Sequence, residues 1–133
     1  MAKFNRFEDI DAWKKSRELD KAIFSTIESS IKFSKDYSLK DQILRSSGST
    51  MDNIAEGFER GGKSEFVHFL SISKGSSGEF RSQLYRAFDR GYLSESDFER
   101  LKSETEAISG MLQGLMNYLN KSELKGVKFK DRV

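Results

Sequence analysis

Two stretches of this chain have residue types and spacing that could do chemistry. Residues Gly57 to Ser64, "GFERGGKS", read G-x-x-x-x-G-K-S, the spacing of a phosphate-binding loop. In such a loop the backbone amides cradle phosphates, the lysine reaches the outer phosphates and the hydroxyl holds a magnesium ion. The chemistry requires a buried strand ending at the first glycine and a helix starting at the Lys-Ser pair. Residues Glu65 to His68, "EFVH", place a carboxylate and an imidazole one helical turn apart, which is half of a dinuclear metal site in a helical bundle.

Both readings fail on their surroundings. Gly57 follows "MDNIAE", a helical pattern, and no apolar run ends in a magnesium-binding aspartate. A helix end, a turn and a new helix start account for the glycines. A dinuclear site needs a second Glu-x-x-His, yet His68 is the single histidine. Glu65 and His68 also point roughly 90–150° away from the centre of the apolar stripe on their helix. With no cysteine and one histidine, thiolate metal sites, disulfides and most assembled nucleophiles are excluded. The sequence predicts no catalytic residue, no metal and no cofactor, and hence a protein that is not an enzyme.

The elements that position every side chain are helical. The chain has 133 residues and no proline, and alternating strand-like runs are absent. Apolar residues recur at three- and four-residue spacing in four stretches, at about 9–31, 39–58, 64–89 and 95–120. The first is striped by Ile10, Trp13, Leu19, Ile23, Ile27 and Ile31, and a loop "KFSKDYS" follows. The second carries Leu39, Ile43, Ser47, Thr50, Ile54 and Phe58 on one side. Ser64 is the expected N-cap of the third, whose stripe is Phe66, Phe69, Leu70, Ser73, Ser77, Phe80, Leu84 and Phe88. Gly91 closes it, and Ser94 with Asp97 forms a capping signal before the fourth, striped by Phe98, Leu101, Thr105, Ile108, Leu112, Leu115 and Leu119. Short connections imply antiparallel neighbours, so residues 1–122 are read as one all-α, up-down-up-down four-helix bundle. Residues 123–133 are read as a flexible basic tail.

Charge and hydropathy limit the partners. The 23 basic and 21 acidic residues leave a net charge of +2, too balanced to argue for nucleic acid from composition alone. Positions 61–91 carry five basic and three acidic residues, positions 92–122 three and five, and the tail from Glu123 four and two. The longest uncharged run, "AISGMLQGLMNYLN", is too short and polar to cross a bilayer core of about 30 Å. The N-terminus lacks a signal-peptide apolar core, so cytoplasm is the expected compartment and no membrane partner is expected.

A polar ladder runs along one flank of the second helix: Gln42, Arg45, Ser49, Asn53, Glu56 and Arg60. Asp41–Arg45 and Glu56–Arg60 are spaced for ion pairs one turn apart. The ladder reads either as a solvated face or as a seam between subunits. On the third helix His68, Ile72, Gly75 and Glu79 offer a matching heptad-like face.

Together, "FEDIDAWKKSREL", "DQILRSSGSTMDNIAEGFER", "KSEFVHFLSISKGSSGEFRSQL" and "RGYLS" resemble the small four-helix-bundle proteins encoded in intervening sequences of bacterial 23S ribosomal RNA genes. That family is similar to the accessory variability proteins of diversity-generating retroelements. The resemblance runs from Phe7 to about Leu119. It is strongest at Trp13, Asp41-Gln42-Ile43, Asn53-Ile54-Ala55-Glu56-Gly57 and Glu65-Phe66…Phe69-Leu70. It implies a homopentamer of bundles without an active site and, for the retroelement relatives, a basic surface for RNA or DNA and a reverse transcriptase partner. Met51 stands where the family usually has proline, and Ser46, Ser47 and Gly48 replace alanines and a valine. The lost proline restores a backbone donor, and Gly48 weakens the helix by about 1 kcal/mol relative to alanine.

Two functions of different class follow. The first is a pentameric, non-catalytic nucleic-acid-binding accessory protein. Its candidate phosphate contacts are Lys63, Lys74, Arg81, Arg86 and Arg90, with Lys125, Lys128, Lys130 and Arg132 in the tail. Its candidate interface is Gln42, Arg45, Asn53, Glu56, Arg60, His68, Ile72 and Glu79. The second is a scaffold that binds a partner polypeptide and no nucleic acid.

Overall fold

The computed structural model describes residues 4–121, and these are helical throughout apart from short connections. A 3-10 turn at Phe7–Asp9 leads into α1 (Asp11–Glu28). There follow α2 (Ile31–Lys35), α3 (Tyr37–Glu59), α4 (Lys63–Asp89) and α5 (Glu95–Lys121). The four long helices form a bundle in which α3 packs on α4, α4 on α5, and α1 against both α3 and α5.

The first predicted helix overruns α1 by two residues at its start and three at its end, and the loop after it is partly helical. Ser30 ends the run by turning extended, and its hydroxyl accepts from the Phe33 amide at 3.1 Å to cap the short α2. This re-phases the chain. Ile31, expected in the core, is 75% exposed, and Phe33 is fully buried in its place. Asp36 then caps α3 by accepting from the Leu39 amide at 3.2 Å, so α3 starts two residues before the predicted boundary.

The α3 stripe is as predicted: Leu39, Ile43, Ser47, Thr50, Ile54 and Phe58 are all buried. The α4 start differs by one residue. Gly62, not Ser64, is the N-cap, and Lys63 and Ser64 lie in the first turn. Gly61 takes the left-handed conformation of the turn, at φ 86°. Gly91, at φ 76°, ends α4: its amide bonds the Phe88 carbonyl and the Tyr92 amide bonds that of Ala87, the double bond of a Schellman cap. The Asp97 amide donates to Ser94 Oγ at 3.0 Å, as the capping signal requires.

Buried hydroxyls tie the helices together. Thr50 bonds the carbonyl one turn back, Ser46 O, at 2.9 Å. Ser16 does the same to Ala12 O at 2.7 Å, and four other serines reach across. Ser73 Oγ donates to the Thr50 carbonyl at 2.5 Å, and Ser77 Oγ meets Thr105 Oγ1 at 2.7 Å. Ser46 Oγ donates to the buried Gln83 Oε1 at 2.6 Å, and Ser47 Oγ to Asp20 Oδ1 on α1 at 2.8 Å. Ser46 and Ser47 thus contribute hydrogen bonds between helices where an apolar residue would offer only contact. Among the described residues, no buried side-chain nitrogen or oxygen lacks a partner.

Candidate functional site

The glycine-rich stretch is a helix–turn–helix joint. Gly57 lies in the last turn of α3 and is buried against α4. A Cβ built on it would lie 2.5 Å from Phe69 Cβ and 3.2 Å from the Phe66 ring, so glycine is required for the helices to approach. Arg60 closes the joint. It pairs with Glu56 at 2.9 Å and Glu65 at 3.7 Å, and its guanidinium lies 4.8 Å from the Phe69 ring centroid. Glu65 is therefore engaged by an arginine, and His68 is exposed beside the edge of Phe69. Neither faces the bundle interior.

The candidate interface residues are spread along α3 and α4, and three of them, Gln42, Arg45 and Glu79, share one groove. Arg86 Nη1 donates to Gln42 Oε1 at 2.8 Å, Ser46 meets Gln83, and Ser49 Oγ meets Ser76 Oγ at 2.8 Å. The register counts down along α4 as it counts up along α3. Asn53 turns back onto Ser49, bonding its carbonyl at 2.8 Å and hydroxyl at 2.9 Å. Gln42, Arg45, Ser49 and Glu79 rim a polar groove of about 180 Å³. Further along, Ile72 is 38% exposed, and His68, Glu56 and Arg60 are exposed at the glycine joint. Of the two predicted ion pairs, Glu56–Arg60 forms, and Asp41 and Arg45 make none among the described residues.

The candidate phosphate contacts divide into separate places. Lys74 and Arg81 share a groove of about 520 Å³ between α4 and α5, floored by Gly75 and Gly78 and rimmed by Ser109 and Gln113. Neither glycine has an atom within 4 Å of where a Cβ would stand, so the floor is open to a ligand's approach. Arg81 pairs with Glu106 of α5 at 3.3 Å. Arg86 is turned to α3 by its bond to Gln42, and Arg90 lies at the far end of the bundle. There Asp36 Oδ2 accepts from Arg90 Nη1 and from the Tyr92 hydroxyl, each at 2.7 Å. The Tyr92 bond, the Leu39 amide and Arg90 together hold the Asp36 carboxyl below its ordinary value. Lys63 opens α4 beside the joint. Lys125, Lys128, Lys130 and Arg132 lie outside the described residues.

Sequence reasoning named no α5 residue for the site, yet Glu106, Ser109 and Gln113 form its second wall. Their three- and four-residue spacing on a polar flank was the available signal. Among the described residues, no helix is long and apolar enough to cross a membrane.

Comparison with known proteins follows the same architecture. Among curated proteins nothing matches the chain. A crystal structure of a protein of unknown function from the S23 ribosomal protein family of Bacteroides thetaiotaomicron VPI-5482 superposes with a TM-score of 0.73. It shares 22% sequence identity, over 79% of this chain and 97% of that one, and so shows a common fold. Residues 8–114 match the family described as 23S rRNA-intervening sequence protein. Spanning α1 to most of α5, that match covers every long helix of the bundle, and the chain belongs to this family.

Proposed function

We propose that the protein is a non-catalytic, cytoplasmic accessory protein that binds RNA or DNA as a homo-oligomer, with five up-down-up-down bundles in a ring. The observation that carries the reading is the meeting of Lys74 and Arg81 at one glycine-floored groove. Two cations seven residues apart on one helix lie two turns, about 10 Å, from each other along the axis, within reach of adjacent phosphates on a strand. Arg81 is offset by Glu106, but both side chains are about half exposed, and such a pair is worth little in water. A phosphate can take the place of Glu106.

Repetition supplies what a net charge of +2 does not. In a pentamer each groove is presented five times, and the separate α3–α4 face is left to join neighbouring copies. Gln42, Arg45 and Glu79 at its groove, with exposed Ile72 elsewhere on α4, suit a polar seam with one apolar contact. Fluorescence anisotropy of a short labelled RNA and a DNA duplex, titrated at rising salt, tests the binding. Affinity is expected to fall steeply because bound counterions are released. Undetectable binding at low salt, or binding indifferent to salt, refutes it.

A second reading, a scaffold for a partner protein such as a reverse transcriptase, is favoured by one observation. Phe24, Ile31 and Tyr37 are 52%, 75% and 68% exposed on α1, α2 and the start of α3. Partners recovered on the 133-residue chain and lost after nuclease treatment support the nucleic-acid reading. Partners retained after nuclease support the scaffold.

A further inference from the structure

The groove between α4 and α5 holds hydrogen-bond acceptors beside its cations. The two helices run antiparallel, with Ser77 meeting Thr105 and Arg81 meeting Glu106. The same register continues to Ser109 near Lys74 and Gln113 near Ser71, on the two walls of the groove. The Ser71 hydroxyl spends its one proton on the His68 carbonyl at 2.6 Å, so its oxygen can only accept from a ligand. Gln113 turns its amide Nε2 to Asn117 Oδ1 at 3.0 Å, which leaves Oε1 as a second acceptor. Both residues are exposed. Lys74 and Ser109 make no hydrogen bond or ion pair among the described residues.

A phosphate diester has no proton to give, so it can satisfy Lys74 and not these acceptors. A deoxyribose within a strand has none either, whereas the 2′-hydroxyl of a ribose both donates and accepts. Each ribose stands between successive phosphates, so the acceptor must lie close beside the cation. Ser71 is three residues from Lys74, about 4.5 Å along the helix axis.

We propose that this groove selects RNA over DNA. Lys74 takes a phosphate, and Ser71 Oγ and Gln113 Oε1 accept from a neighbouring 2′-hydroxyl. Gly75 and Gly78 leave the floor open for the sugar to descend between the walls. The lining residues include no aromatic ring, so the groove meets the sugar–phosphate backbone and not stacked bases. Arg81, shared with Glu106, adds charge, but the selection does not depend on it. The inference rests on the nucleic-acid reading above and names the strand chemistry that the same groove prefers.

The test is fluorescence anisotropy at low salt with three short single strands of one sequence: RNA, DNA and 2′-O-methyl RNA. RNA is expected to bind about tenfold more tightly than DNA, the worth of one or two hydrogen bonds. The 2′-O-methyl strand keeps the ribose oxygen but loses its proton, and should bind like DNA. In the double variant Ser71→Ala with Gln113→Leu, the ratio of RNA to DNA affinity should fall toward one. Lys74→Ala should weaken both strands and keep the ratio. Equal affinity for RNA and DNA overturns the selection while leaving nucleic-acid binding intact. So does a 2′-O-methyl strand that binds like RNA, or a ratio indifferent to the double variant. No binding of any strand overturns both this inference and the reading beneath it.

Discussion

Phe69 lies so close to Gly57 that the Cβ of any larger residue would stand 2.5 Å from Phe69 Cβ. Gly57→Ala is therefore expected to force α3 and α4 apart and cost about 1–3 kcal/mol. Gly48, in the middle of the same helix, has nothing within 4 Å of its missing Cβ. Gly48→Ala is expected to stabilise by about 1 kcal/mol through helix propensity alone. Urea denaturation of the two variants checks that they move in opposite directions.

Ser46 and Gln83 hydrogen-bond inside the α3–α4 contact at 2.6 Å. Ser46→Ala leaves the buried amide oxygen without this donor and should cost about 1–3 kcal/mol. Adding Gln83→Met removes the stranded polar group, and the double variant should recover most of the loss. A double-mutant cycle by denaturation reads the coupling.

Two aspartates shift in opposite directions, and the signs differ accordingly. Asp36 is held below its ordinary value of 3.8, chiefly by the Tyr92 hydroxyl bond. Its stabilising contribution is complete above 3.8 and is lost as pH falls from there through the lower folded value. Asp36→Asn should destabilise at neutral pH, with the difference from the parent shrinking in acid. Asp52 is raised by partial burial and then by the charge of Asp20. Its ionised form opposes folding, so stability from this group increases as pH falls through its folded value toward 3.8. Asp52→Asn should stabilise slightly at neutral pH and lose that advantage in acid. Thermal melts across the acid range separate the two.

Arg81 pairs with Glu106 across the α4–α5 groove, whereas Arg90 is committed to Asp36. Lys74→Ala and Arg81→Ala are each expected to weaken RNA binding evenly across sequences and to lower the salt slope by about 1 per lost phosphate contact. Glu106→Gln should strengthen binding by removing the competing carboxylate. Arg90→Ala should leave affinity alone and lower the melting temperature. Anisotropy and calorimetry on the same preparations check both halves.

Arg45 and Glu79 rim the groove on the outer face of α3 and α4, and both are exposed. If that face joins copies, Glu79→Arg places like charge opposite Arg45 of the seam. The expected result is dissociation to monomers with unchanged helical circular dichroism, measured by light scattering on a size-exclusion column. An unaltered assembly would move the interface elsewhere.

The helical class was legible because its causes are local. Period, caps and the absence of proline and strand patterns act within a few residues, so the α3 stripe, the Gly91 cap and the Ser94–Asp97 start could all be read directly. The glycine stretch was also legible as a helix end, since "MDNIAE" cannot be a buried strand's terminus. Ile31 was misplaced because one capping serine, Ser30, re-phases the chain, and a periodic stripe carries no record of such a slip. The grouping of charges lay beyond the sequence altogether. Lys74 and Arg81 meet at a groove whose second wall is α5, Arg86 is drawn to Gln42, and Arg90 to Asp36. A single helix fixes the angle at which each side chain leaves its axis. Which neighbour it then meets depends on rotation and register between helices, and those are set by packing contacts such as Gly57 against Phe69.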